Sequence, residues 1–228
     1  MVFLVMGETM SGKKIAVVLS GCGVYDGAEI HESVLTLLAI CRHGAEAVCF
    51  APDIEQHHVV NHLTGQEMAE TRNVLLESAR IARGQIADLA KFKATEVNAL
   101  VFPGGFGAAK NLSSFAFDGS GASVDPSVVA AVTSMVAAGK PVAALCIAPV
   151  LLAKILGDVE VTIGQDAGTA TALEAMGARH VPSHQTEIVV DRKRKIVTAP
   201  CYMLDSTVAQ IADGADNAIR AVLELIGV

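Results

Sequence analysis

The stretch Lys140-Pro-Val-Ala-Ala-Leu-Cys146-Ile-Ala-Pro149-Val-Leu-Leu-Ala-Lys154 decides the fold. An apolar run with strand character ends at a cysteine, and a run with helical character begins just after it. A sharp strand-to-helix turn lifts the side chain at its apex out of the sheet. It also aims the N–H groups of the new helix at whatever collects there, and the helix dipole favours a thiolate. Cys146 is therefore a candidate nucleophile. Free cysteine is also among the most buried residue types, so filling the core behind Val142 and Leu145 is the competing reading of the turn alone.

Outward from this elbow, strands and helices alternate. Residues 14–19 read as a buried strand and 29–43 as a helix whose inward face is Ile30, Val34, Leu37, Leu38 and Cys41; residues 46–51 read as a second strand. The segment 66–93 reads as helical or irregular. Strand 99–102, helix 125–138 and strand 141–145 lead into the elbow and its helix. Strand 160–163, helix 169–176, a hairpin around Arg192 and a closing helix from Asp205 follow. Such alternation indicates an α/β fold: a doubly wound, mostly parallel sheet with helices on both faces. Sheets of this kind bind ligands at the carboxyl ends of their strands. The site candidates are therefore residues 21–27, 104–107, 146–147 and 200–201.

Composition indicates one soluble domain over residues 13–228, with residues 1–12 a frayed extension. Apolar residues make up 52% of the chain but fall in short runs, none near the ~18 residues of a membrane span. A net charge of −7 argues against nucleic acid, whose phosphates attract clustered Lys and Arg. The one basic run, Arg192-Lys-Arg-Lys195, reads as a solvated hairpin turn. Five cysteines, an odd number without metal-ligand spacing, read as reduced thiols of a cytoplasmic protein. The histidines, His57, His58 and His62 among them, form no clear ligand set, so no metal is expected. Gly21-Cys22-Gly23, with Asp53 after the second strand, approaches a dinucleotide fingerprint, but its spacing is one residue too long.

Three segments in order resemble the PfpI superfamily, which has the flavodoxin-like class I glutamine amidotransferase-like fold. They are Ala144-Leu-Cys146-Ile-Ala-Pro149, the loop Pro103-Gly104-Gly105-Phe106-Gly107 running to Asn111-Leu112, and Gly27-Ala-Glu29-Ile-His-Glu32. Leu19-Ser-Gly-Cys22-Gly-Val-Tyr-Asp-Gly27, Asn61-His-Leu-Thr-Gly65 and Thr71-Arg-Asn-Val74 resemble the ElbB branch more closely. The resemblance implies that Glu32 hydrogen-bonds the nucleophilic Cys146; a one-turn shift in alignment would make Glu29 that residue. It also implies that Gly105 and Ile147 supply the N–H donors of an oxyanion hole, a role that a side-chain-free residue after a strand and the residue following the nucleophile both suit. Gly104, Cys22, Asn111 and Cys201 are expected to line the substrate site.

Protease-like members carry a histidine directly after the cysteine, where this chain has Ile147. Glutaminase members carry a late histidine and glutamate; the nearest approximation, His184-Gln-Thr-Glu187, precedes a strand and has the wrong spacing. Without an imidazole, amide hydrolysis lacks its usual proton donor to the leaving amine. The resemblance implies instead a cofactor-independent glyoxalase that converts glyoxal or methylglyoxal to glycolate or lactate. In that scheme Cys146 carries the hemithioacetal and Glu32 shuttles the proton; a deglycase-like activity would consume the same aldehydes. The rival readings are a redox or ligand-sensing module that uses Cys146 and a glutaminase-like subunit. A homodimer through the helix at 29–43 is expected, and neither nucleic acid nor membrane is expected as a partner.

Overall fold

Short apolar runs bounded by glycines and polar turns are what a sheet covered on both faces requires. In the computed structural model, which describes residues 12–227, β1 (Lys14–Val18) leads to α1 (Ile30–Arg42) and β2 (Glu46–Ala51). A small hairpin of β3 (Val60–Asn61) and β4 (Gln66–Glu67) precedes α2 (Val74–Ile81) and β5 (Ile86–Asp88). Next come β6 (Ala99–Phe102), α3 (Phe106–Lys110), α4 (Phe115–Asp118), α5 (Pro126–Ala137), β7 (Val142–Leu145) and α6 (Pro149–Leu156). The remainder is β8 (Glu160–Val161), α7 (Ala167–Ala175), β9 (Arg179–His180), β10 (Val189–Asp191), β11 (Ile196–Ala199) and α8 (Val208–Ile226). Apart from Gly12, the expected N-terminal extension lies outside the described residues.

Seven strands form one sheet in the order β10-β11-β7-β6-β1-β2-β5. Only β10 runs antiparallel to its neighbour; the other pairs are parallel. The period-2 alternation of each strand divides the core in two. Ala16, Val18, Leu100, Phe102, Val142 and Ala144 face Val128 and Met135 of α5, Leu151 and Leu152 of α6, and Leu173 of α7. Ile15, Val17, Val101, Ala143 and Leu145 face Ala39 and Ile40 of α1 and Ile211, Ile219 and Val222 of α8. No helix among the described residues is long and apolar enough to cross a membrane.

α1 departs from the sequence reading. Most of its expected inward face points outward: Ile30 is 44%, Val34 47% and Leu38 38% exposed, and Cys41 is exposed too, while Leu37 packs half-buried against the core. The buried residues are Glu32, Ser33, Thr36, Ala39 and Ile40. α1 packs along α8, and small Ser33, Thr36 and Ala39 permit that approach, while the buried Glu32 carboxylate keeps its hydrogen bonds. Two other expectations are corrected. The strand at 160–163 does not join the main sheet but pairs with β9. The segment 66–93 contains, besides α2, an edge strand, β5, paired with β2.

Candidate active site

β6 and β7 are adjacent and parallel, so their carboxyl ends bring Gly104-Gly105 and Cys146 side by side. Cys146 has φ +58°, a region that costs a non-glycine residue of order 1 kcal/mol or more and that persists only where the surroundings impose it. Here its N–H donates to Ala199 O at 2.9 Å, and α6 begins three residues later at Pro149. The cysteine is buried, at 7% exposure. Its sulfur accepts a hydrogen bond from the Gly105 N–H. Gly104 has to be glycine, because a Cβ there would lie 2.6 Å from Glu32 Oε2 and 2.9 Å from Cys146 Sγ. Gly105 needs it too, with φ +96° against the start of α1.

Glu32, rather than Glu29, reaches the sulfur. It is fully buried; its Oε2 accepts the Gly104 N–H at 3.0 Å, its Oε1 accepts the Tyr202 N–H at 3.1 Å, and its carboxylate pairs with the Cys146 thiol. Burial pushes the Glu32 carboxyl up to about 7, and the charge of Glu29 adds to the rise; the hydrogen bonds from Tyr202, Cys146 and Gly104 oppose it. Burial also raises the Cys146 thiol well above its ordinary value, with further upward pushes from the charges of Glu32 and Cys201. The resting sulfur is thus a thiol beside a carboxyl that titrates near neutrality. Desolvation therefore opposes the expected dipole-stabilised thiolate. Glu29 instead caps α1, its Oε2 accepting the Glu32 N–H at 2.7 Å, while its own N–H donates to Gly104 O at 2.9 Å.

A cavity of about 460 Å³ opens over Cys146 and is also lined by Ile147, Gly105 and Tyr202. None of the four expected lining residues is among those that line it: Gly104 lies against Cys146 and Glu32, and the other three lie elsewhere. Cys22 faces the charged cluster of Glu77, Arg80, Asp26 and Arg72, and burial raises its thiol. Asn111 clamps loops: its Nδ2 donates to Ser20 O and Asp26 O, both at 2.9 Å, and its Oδ1 accepts the His57 N–H at 2.9 Å. Cys201 is buried behind the nucleophile, its sulfur accepting the Cys146 N–H, and burial raises it well above the usual thiol range. His184 pairs with Gln165 at 3.0 Å, away from the cavity. The glycines of the fingerprint-like loop are covered, a Cβ at Gly21 lying 3.0 Å from Gln56 Oε1 and one at Gly23 2.6 Å from His62. Phosphate has no room to approach there. Asp53 is held by Asn73 Nδ2 at 2.8 Å.

Sequence reasoning missed Tyr202, Phe115 and Asp166, which line the cavity, whereas Val24 and Phe106 fall within the expected segments 21–27 and 104–107. Tyr202 had a signal, its position just after the last strand of the sheet. Its hydroxyl meets His31 Nδ1 at 2.9 Å. Phe115 and Asp166 come from α4 and from the N-cap of α7, where no motif marks them.

No family model matches the chain. A human protein, "Glutamine amidotransferase-like class 1 domain-containing protein 3, mitochondrial", is 50% identical over 224 residues, 94% of this chain and 84% of the relative. The chain belongs to the glutamine amidotransferase-like class 1 proteins. A rat member, "ES1 protein homolog, mitochondrial", is 48% identical over the same shares of the two chains. The crystal structure of an isoprenoid biosynthesis protein with an amidotransferase-like domain from Ehrlichia chaffeensis superposes with a TM-score of 0.86 at 36% identity, covering 92% of this chain and 99% of that one. The class I glutamine amidotransferase-like fold is therefore shared in detail. The cytoplasmic expectation is overturned, because the human and rat members both carry "mitochondrial" in their names. Unpaired thiols report a reducing environment, not which one.

Proposed function

We propose that this amidotransferase-like protein is a glyoxalase of the ElbB branch, acting on glyoxal or methylglyoxal without an external cofactor. The observation that carries the reading is the buried pair of Cys146 and Glu32, in which a carboxyl raised to about 7 hydrogen-bonds the thiol. A proton acceptor works best when its pKa is near the operating pH. The Cys146 S–H proton passes to Glu32 as sulfur bonds the aldehyde carbon, and the new oxyanion is assigned to the Ile147 N–H and to the Gly105 N–H, which the resting sulfur accepts. Glu32 returns that proton to the oxyanion, and as a free carboxylate takes the proton from the same carbon and delivers it to the neighbouring one while the hydroxyl proton moves to the neighbouring oxygen, leaving a thioester. Water hydrolyses the thioester to the 2-hydroxy acid and restores the thiol. One carbon of the substrate is oxidised as the other is reduced, so the electrons balance within it.

The rivals are less well supported. A glutaminase needs a proton donor for its leaving amine, and the nearest late histidine, His184, pairs with Gln165 away from the cavity. A redox sensor needs an exposed thiol of low pKa, whereas Cys146 is buried and raised. A homodimer belongs to the same reading: Ile30, Val34 and Leu38 form an exposed apolar stripe on α1, next to the site, of the kind that marks an interaction surface. Steady-state methylglyoxal loss and lactate appearance test the function. The reading expects matched rates that vanish in Cys146→Ala; undiminished turnover in that variant overturns it.

A further inference from the structure

We propose that the cavity over Cys146 selects uncharged 2-oxoaldehydes bearing an apolar or aromatic substituent, in preference to small glyoxal and to oxoacids that carry a carboxylate. This names the substrate class of the glyoxalase reading above and rests on it. The volume, about 460 Å³, falls in the ~300–1,000 Å³ range of sites that enclose ligands many atoms larger than glyoxal. Two carbonyl carbons would occupy only the floor beside Cys146. The space beyond is walled by Val24, Phe106, Ala109, Phe115 and Met203, surfaces that gain nothing from a hydrated diol but release water to an apolar group.

Charge points the same way. Glu29 and Asp166 line the cavity and Glu32 lies beneath it. Glu29 is fixed by the Glu32 N–H at 2.7 Å and Asp166 by the Thr169 N–H at 2.7 Å, so both are held in place as N-caps. Among the described residues that line the cavity none is Lys, Arg or His. The nearby Lys110 is engaged elsewhere, its Nζ donating to Tyr25 O at 2.9 Å and lying 5.2 Å from the Phe106 ring centre. A carboxylate entering with its oxo group would meet carboxyls and no counter-ion. The same field treats the product well: turnover converts a neutral aldehyde into a 2-hydroxy acid, whose new charge nothing in the cavity retains. The balance is R–CO–CHO + H2O → R–CH(OH)–COOH, with the proton carried by Glu32 and no outside oxidant or reductant.

The test compares phenylglyoxal, methylglyoxal and 4-carboxyphenylglyoxal in wild type and in Ala116→Phe. Ala116 is an exposed residue of α4 that lines the cavity away from the sulfur, so a ring there fills the outer space. In wild type, kcat/KM for phenylglyoxal is expected to exceed that for methylglyoxal about tenfold or more, since burying a ring adds apolar area worth roughly that factor. The value for 4-carboxyphenylglyoxal, which adds a carboxylate to the same ring, should fall at least tenfold below that for phenylglyoxal. Ala116→Phe should cut the phenylglyoxal value at least tenfold more than it cuts the methylglyoxal value. Equal values for the three substrates, or an equal loss for all in Ala116→Phe, overturns the proposal. Titration with acetophenone and with benzoate separates this claim from the glyoxalase reading. If no dicarbonyl turns over, yet acetophenone binds, benzoate does not and Ala116→Phe weakens acetophenone, the selectivity stands and the glyoxalase reading fails. Benzoate binding as well as acetophenone sinks the selectivity whatever the turnover.

Discussion

Replacing Glu32 by glutamine should change how the stability of the protein depends on pH. The carboxyl ordinarily titrates at 4.5 and is pushed up to about 7 in the fold, chiefly by burial. Between those values the unfolded chain has lost the proton and the folded chain keeps it. Stability from this group is therefore fully present below about pH 4.5 and is lost as pH rises through about 7. At roughly 1.4 kcal/mol for each tenfold change in proton affinity, the rise from 4.5 to about 7 corresponds to about 3.5 kcal/mol. For a chain of this size that is roughly 10 °C in melting temperature. Glutamine cannot ionise, so Glu32→Gln should lose this component. Its amide nitrogen must also face either the Gly104 or the Tyr202 N–H, leaving a buried donor unpaired at a cost of about 1–3 kcal/mol. The variant should thus melt well below wild type at pH 5 and approach or pass it at pH 8. Thermal melts of both proteins from pH 4.5 to pH 8 check this, with the difference between the curves isolating Glu32 from the other titrating groups. Curves that run parallel would refute the assignment of a raised, buried carboxyl to this position.

Three further outcomes follow from the same geometry. Gly104→Ala should destabilise the fold by about 1–3 kcal/mol and remove activity, because its methyl group meets Glu32 Oε2 and Cys146 Sγ; a fully active variant with an unchanged melting temperature would contradict that crowding. Alkylation of Cys146 should be slow at neutral pH and accelerate only above the usual thiol range, since burial and the Glu32 charge raise it; Glu32→Leu should move the midpoint, and rapid labelling at pH 7 would show a thiolate instead. Val34→Glu places a charge in the exposed stripe of α1 and should convert a sedimenting dimer to a single 23.6 kDa chain, whereas a wild type already monomeric at micromolar concentration would end the dimer proposal.

The sheet was legible because its central strands are nearly pure apolar runs. The expected strands 46–51 and 99–102 match β2 and β6 residue for residue, and 14–19 and 141–145 are each one residue too long. The elbow was legible for the same reason, a strand-like run meeting a helical one at Cys146. α1 misled because periodicity counts apolar residues and assumes they face the core. Its inner face instead had to admit α8 closely and present Glu32 to the sulfur, so small and polar residues lie inside and Ile30, Val34 and Leu38 outside. β5 was missed because three residues at a sheet edge, Ile86–Asp88, carry too little pattern. Cys22 and Asn111 were misplaced since a loop at the carboxyl end of a strand can turn toward its own insertion. Here Gln56 and His62 cover Gly21 and Gly23 and His57 holds Asn111, so Cys22 and Asn111 turn from the cavity while Val24 of the same loop lines it. The direction of the thiol shift depends on burial, which sequence does not report.

The central claim is that substrate is carried on Cys146 while Glu32 moves its proton, and the covalent species tests it most directly. Wild type and Glu32→Gln are mixed with methylglyoxal, acid-quenched within the first turnover, and digested for mass spectrometry. The account predicts a hydroxyacyl thioester on the Cys146 peptide of wild type, and in Glu32→Gln only the unrearranged adduct, reversible on dilution and trapped by borohydride. Turnover to lactate with the Cys146 peptide unmodified at every quench time would contradict it.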